Sequence, residues 1–387
     1  MNLLALRMLL GDRARYLGLL IGVSFASLMI TQQAGIFVGL SERTYSFISG
    51  TSGADLWVMD PEVEHVADAK PMLDMSLYAV RGVDGVEWAV PMYKSFARAR
   101  LPNGATRGVQ LVGLDDATLT GGPPGMVEGS LSDLRETDAI IVDERDVGGK
   151  LAIGTRSGKI DRPLRVGDTL ELNDRRARVV GVYRAAPGFF WEPTIYTTYS
   201  RALAFSPRER RMLTYVLVKV APGHDVDSVR RLIESHTGLA AHTRAGFSML
   251  TATYILQKTG ILVNFGIAVG LGFVIGVLIT GQTFYNFTVD NIRHFAALKA
   301  MGAGDGRVAG MVVLQALCVG AIGYGLGVGG AAVTGTILGE DGGLAFRMPW
   351  QLLVFSGGAI AAVCVLAAFL SVRRVLKAEP GMVFKGA

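Results

Sequence analysis

Four stretches of the chain carry no Asp, Glu, Lys or Arg: residues 16–40, 259–289, 308–339 and 348–372. Each exceeds the roughly 20 residues that an α-helix needs to cross a hydrocarbon core. The pattern therefore predicts four membrane-spanning helices. The first run is too long for the apolar part of a signal peptide, and no small-residue cleavage site follows it.

Between the first two runs the pattern changes to alternation, over residues 41–250. "ADLWVMD" and "VEWAVPMY" read as strands. "SFARARLPNGATRGVQLVGLD" reads as a hairpin, with Asn103-Gly104 suited to a type I′ turn. "LRVGDTLELNDRRARVVGVYRA" suggests a second hairpin around Asn173-Asp174. "LTYVLVKVAPGHDVDSVRRLIESHTG" reads as strand, turn and helix, with Asp225 as N-cap. The fold class is thus a membrane protein, four transmembrane α-helices with a large α+β extracytoplasmic domain inserted between helices 1 and 2.

The remaining boundaries follow. Residues 1–15 form a cytoplasmic amphipathic segment, with Leu3, Leu6 and Leu10 set against Arg7 and Arg13. Residues 251–287 are a stalk and second span, 288–304 a cytoplasmic helix and turn, and 305–339 the third span. Residues 340–350 are an outer loop, 351–373 the fourth span, and 374–387 a cytoplasmic tail. One helix from Phe247 to Phe287 would measure about 60 Å at 1.5 Å per residue, roughly twice the hydrocarbon thickness. Arg7, Arg13 and Arg15, then Arg293, Lys299 and Arg307, then Arg373, Arg374 and Lys377 all fall on one side under four crossings. The positive-inside rule makes that side the cytoplasm, with both termini there.

Composition agrees with this layout. Of 387 residues 18% are charged, against about 25% in an average soluble domain. The net charge of +5 does not argue for nucleic acid, because the basic residues cluster beside the apolar runs. Cys318 and Cys364 lie inside apolar runs and read as small buried hydrophobes. "VGGKLA" and "RSGKID" lack the Ser or Thr of a phosphate-binding loop, so ATP hydrolysis is not expected in this chain. "GYGLGVGG", with Gly323, Gly327 and Gly330, follows no strand. Close helix packing explains it better than a dinucleotide site.

No metal site is expected. His65 among Asp60, Glu62, Glu64 and Asp68 reads as a solvated acidic loop, and His236 and His242 are isolated. The spans carry no central ionisable residue of the kind a proton or ion relay uses. Gln32 and Gln33 read as interhelical hydrogen-bonding groups.

The polar island "TVDNIRHFAALKAMGAG" between the second and third spans stands out. Thr288 can N-cap a short helix there. Val289, Ile292, Phe295, Ala296 and Leu298 give it an apolar side, and Asp290, Asn291, Arg293, His294 and Lys299 a polar one. Gly302 and Gly304 allow a stop. The layout suits a helix at the inner surface that offers polar groups to a cytosolic partner, or an ordinary positively charged loop.

"NIRHFAALKAMGAGDGRV" resembles the cytoplasmic segment of MacB-like, or FtsX-like, ABC transporter permease subunits, through Arg293, Phe295, Leu298, Lys299, Ala300, Gly302 and Ala303. It looks most like the DevC-like branch, close to haem exporter permeases of HrtB type. "LRVGDTLEL", "RVVGVY" and "YVLVKVAPGHDV" are similar to that family's outer domain. One departure is His294, where this branch commonly has an acidic residue.

The resemblance implies a non-catalytic homodimeric permease in a bacterial inner membrane, working with a separate ABC ATPase that binds MgATP. Asp290, Arg293, His294, Phe295, Leu298 and Lys299 would couple to that ATPase, with Gly302 and Ala303 as the turn. It implies export of a hydrophobic or amphiphilic molecule, membrane lipid contact, a periplasmic membrane-fusion adaptor and an outer-membrane channel. Phe189, Phe190 and Trp191 in "APGFFWEPTIYTTY" are candidates for substrate or adaptor contact, or for a buried strand edge. Alternative readings are an FtsX-like signalling module that activates a cell-wall hydrolase, and a lipoprotein-releasing permease.

Overall fold

The computed structural model describes residues 8, 9, 11, 13–154, 160–189, 192–341 and 343–376. Two compact units result, one built from the chain up to Leu40 and from Gly260 onward, the other from Ser41–Thr259. Helix α1 (Arg13–Thr44) leads through α2 (Ser46–Gly50) to β1 (Leu56–Met59), α3 (Met75–Arg81), β2 (Val86–Arg100) and β3 (Thr106–Leu114). Next come β4 (Met126–Glu128), β5 (Ala139–Asp143), α4 (Glu144–Val147), β6 (Ile153–Gly154) and β7 (Ile160–Arg162). Strands β8 (Thr169–Leu172), β9 (Arg175–Tyr183) and β10 (Thr194–Thr198) precede α5 (Tyr199–Phe205) and β11 (Tyr215–Val220). Helix α6 (Val226–Thr237), β12 (Ala240–Thr243) and α7 (Arg244–Lys258) close the second unit. Helices α8 (Ile261–Asp290), α9 (Ile292–Ala300), α10 (Asp305–Asp341) and α11 (Trp350–Leu376) complete the first.

In the inserted domain ten strands share one sheet system. Its first lobe has the order β12-β1-β11-β2, every neighbour antiparallel. With α3 between β1 and β2 and α6 between β11 and β12, this is a split β-α-β arrangement. Both faces of β1 are buried, which its unbroken apolar run requires. Leu56 and Val58 pack with Val80, Val229 and Ile233 under α3 and α6. Trp57 and Met59 point the other way, toward Tyr215, Leu217 and Phe247 of α7.

The second lobe is inserted between β2 and β11. Strand β2 continues into it, pairing β11 over Val86–Met92 and β3 over Tyr93–Arg100. Pro91, which donates no ladder bond, falls where only the β11 side is paired. The pairings β2-β3-β10-β5-β9-β8 return to β2, closing a six-stranded barrel. Ala97, Leu111, Ile140, Leu170, Val179 and Ile195 fill its core.

Both expected hairpins form, but the type I′ turn expected at Asn103-Gly104 does not. At the first, the Gly104 N–H donates to Leu101 O at 2.8 Å, and only Gly104 has positive φ (84°). Pro102 fits the second position of a type I turn, and Gly104 takes the left-handed bulge position. The type I′ pattern appears instead at Asn173 (φ 46°) and Asp174 (φ 64°). The Asn173 side chain supports it by accepting from the Arg98 N–H at 2.9 Å and donating to Phe205 O at 3.1 Å.

Among the described residues four helices are long and apolar enough to span a membrane: Tyr16–Thr44, Ile261–Asp290, Asp305–Ile337 and Trp350–Val372. Glycines permit close approach between them. A methyl group built on Gly323 would stand 2.8 Å from Val23 Cγ1, and on Gly327 2.4 Å from Ser27 Cβ. On Gly330 it would stand 2.8 Å from Leu28 Cδ1, and on Gly276 2.7 Å from Ala26 Cβ. The connection between α10 and α11 is more than a tether. Its Phe346 ring lies against Gly35 of α1 and Gly335 of α10, and the Arg347 N–H donates to Gly35 O at 3.0 Å.

One expectation fails here. The single helix from Phe247 to Phe287 is two helices, interrupted at Thr259–Gly260, where Gly260 takes φ 70°. That left-handed residue, free of the Cβ penalty, ends the helical path.

Candidate functional site

The island between α8 and α10 is built by three devices. Helix α8 runs on through Thr288 to Asp290, and Asn291 (φ −92°, ψ 9°) forms the joint to α9. The expected Thr288 cap therefore does not form. Thr288 is fully buried inside α8, and the N-cap of α9 is Asn291, which makes no side-chain cap bond. The Asn291 amide instead donates to Phe287 O at 2.9 Å, satisfying a carbonyl at the α8 terminus.

The second device is a buried anchor. Phe295 and Ala296 are fully buried, and Phe295 packs in the cluster of Phe284, Phe287, Val308 and Val312. Phe295, grouped on sequence with partner-contacting residues, thus faces inward and fixes α9 onto its own bundle. Leu298 is half-buried beside it.

The third device is the turn. The Gly302 N–H donates to Lys299 O and the Ala303 N–H to Leu298 O, both at 3.0 Å, with Gly302 at φ 93°. These two bonds make a Schellman motif, in which the left-handed position favours glycine. Lys299 Nζ stands 2.9 Å from Asp305 Oδ1, and its side chain is only 12% exposed. Asp305 occupies the first turn of α10, where an acidic group complements the helix dipole. Lys299 therefore ties the end of α9 to the start of α10.

What α9 offers to solvent is narrower than its sequence suggested. Asp290, Arg293, His294 and Arg307 are exposed, and Met301 is 77% exposed at the turn. Sequence reasoning missed Met301 and the Lys299–Asp305 pair. Their trace is an apolar residue just before Gly302, and opposite charges flanking the Gly302–Gly304 turn.

Elsewhere, Phe189 is half-buried in the segment that precedes β10 in sequence, while Phe190 and Trp191 lie outside the described residues. The His65 imidazole stacks on Tyr254 at 4.8 Å between ring centres, and its Nδ1 accepts the Ala67 N–H at 3.2 Å. Burial holds its pKa below the usual value, against the opposing pull of Asp68. Among the described residues no three His, Cys, Asp or Glu side chains are grouped to hold a metal.

Comparison with known proteins gives two family matches, one after the other along the chain. Residues 16–236 match the family of MacB-like periplasmic core domains, and residues 266–380 match the FtsX-like permease C-terminal family. No curated protein sequence matches the chain. Among solved structures, the extracellular domain of the noncanonic ABC-type transporter YknZ from Gram-positive bacteria is similar at 15% identity. That match covers 49% of this chain and 98% of that one, with a TM-score of 0.33. The periplasmic region of MacB from Actinobacillus actinomycetemcomitans is similar at 14% identity, over 51% and 92% of the two chains, with a TM-score of 0.37. A domain of a putative permease protein from Porphyromonas gingivalis is similar at 14% identity, over 49% and 86%, with a TM-score of 0.30.

Proposed function

Since the chain belongs to the MacB-like, FtsX-like family of ABC-type permeases, we propose that it is the membrane subunit of an exporter. Hydrolysis of MgATP occurs in a separate ABC ATPase. Helix α9 receives the motion of that ATPase, and the membrane helices carry it to the inserted domain outside. The cargo is a hydrophobic or amphiphilic molecule. A second copy of the chain, a periplasmic adaptor and an outer-membrane channel complete the machine, which sits in the bacterial inner membrane with both termini cytoplasmic. Assignment to the DevC-like branch rests on residues 291–308 alone.

The observation that carries this reading is the build of α9. A short helix is locked to its own bundle by a fully buried Phe295, by a Schellman turn and by the Lys299–Asp305 pair, yet it presents Arg293, His294 and Met301 outward. A helix anchored on one face and exposed on the other transmits a push without melting.

The test is co-purification of the native complex carrying R293E and M301D together. Both sites are exposed, so the permease itself should melt as before. The expected result is loss of the ATPase from the purified complex. Retention of a full complement of ATPase by this variant would refute the role given to α9.

A further inference from the structure

Where the two lobes of the inserted domain meet, a lysine is buried without an ion pair among the described residues. Lys94, on β2, is 4% exposed. Its Nζ donates to Gln110 Oε1 at 2.8 Å and stands 5.1 Å from the centre of the Phe47 ring. An ammonium group has three donors, and among the described residues no carboxylate lies within 4 Å of this one. Burial lowers its pKa to about 8, against an opposing influence from Glu192. A buried cation that has one neutral acceptor and a ring face is costly to keep. An arrangement that keeps it is explained if an anion arrives from outside.

The structure supplies the place. A cavity of about 290 Å³ is bordered by Lys94, Gln110, Phe96, Met212, Arg210 and Glu209. Phe96 is 44% exposed, Met212 half-buried, and Arg210 and Glu209 exposed. The volume lies just below the 300–1,000 Å³ range of small-molecule sites, so it admits a headgroup and a short apolar segment. Lys94, Phe96 and Gln110 lie on the outer side of the barrel wall, since their neighbours Tyr93, Ala97, Val109 and Leu111 belong to its core.

We propose that this cavity binds the carboxylate end of an amphiphile, with Lys94 as counter-ion and the apolar part laid over Phe96 and Met212. Gln110 holds the ammonium in place. On the border the charges of Arg210 and Glu209 offset each other, so the single buried ammonium matches a monoanion better than a dianionic phosphate. Binding is a property of the inserted domain and needs no ATP. That the bound molecule is exported cargo would rest on the function proposed above, and the experiment reads binding alone.

The probe is 8,8,8-trifluorooctanoate, followed by fluorine NMR with the full chain in lipid nanodiscs and with empty nanodiscs as baseline. The expected result is binding above the baseline, displaced by octanoate and not by octan-1-ol. K94M should weaken it by about tenfold or more, as for loss of a charged hydrogen bond. Q110E supplies an internal carboxylate to Lys94, and should remove probe binding while leaving the chain at least as heat-stable. Displacement by octanol as effective as by octanoate would overturn the proposal. So would binding no greater than in empty discs, or binding unchanged in both variants.

Discussion

The wedge formed by Phe346 allows a direct test of how the membrane helices are held. Its ring sits between Gly35 of α1 and Gly335 of α10. A methyl group added at Gly335 would stand 2.2 Å from Cδ1 of the ring. To reach the 3.4 Å at which ordinary contact begins, the ring must retreat by about 1.2 Å. It retreats toward Gly35, where the same neighbour is already close enough that an added methyl would lie 2.5 Å from Cε2. Relief therefore requires α1 and α10 to separate or Phe346 to leave its seat. Overpacking of this kind costs about 1–3 kcal/mol. The added alanine returns about 1 kcal/mol of helix propensity, so G335A should destabilise by roughly 0–2 kcal/mol. The decisive measurement is a double-mutant cycle with F346A, read as thermal unfolding in detergent. With the ring gone, G335A should become neutral or stabilising, and the coupling should exceed about 1 kcal/mol. Equal effects of G335A with and without Phe346 would refute the wedge.

Two further outcomes follow from the inserted domain. D174G should raise its melting temperature, because Asp174 holds φ 64° in the type I′ turn, and its exposed contact with Arg98 at 3.6 Å contributes little; a lowered melting temperature would show that the turn is not strained. Burial, and then Asp143, raise the Asp146 pKa to about 6. Its folded value lies above the usual carboxylate range, so the folded state binds the proton more tightly, and stability falls as pH rises from about 4 through 6. D146N should therefore match the parent at pH 4 and melt higher at pH 7, and a gap independent of pH would contradict the assignment.

Much of this architecture was legible as sequence because membranes and helix caps impose local rules. An uncharged run longer than the bilayer is thick can be read residue by residue, as can Asp225, whose carboxylate accepts the Ser228 N–H at 2.9 Å. The barrel was not legible, because its closure depends on β8 returning to β2, with Ala99 opposite Leu172. No local pattern records a pairing at that distance. The segment between α8 and α10 was half legible. Its helix and turn follow from composition, but the start moved to Asn291 because burial of Thr288 outweighed its capping preference. Lys299 looked like an available cation because its partner, Asp305, lies beyond two glycines. The break at Gly260 had only a single glycine to announce it.

The order of strands in the first lobe carries a consequence for how the chain is made. Leu56 pairs with Val218 and Thr243, so β1 waits for strands from the far end of the domain. Contacts between residues so distant in sequence form slowly, since loop closure must be met before pairing rewards it. During synthesis the barrel strands therefore emerge while β1 still has two open edges. An unpaired apolar strand is a template for the wrong partner. The interval between the appearance of Leu56 and that of Thr243 is when a newborn chain is most exposed to misassembly, and a truncation ending before Ala240 would make that interval permanent.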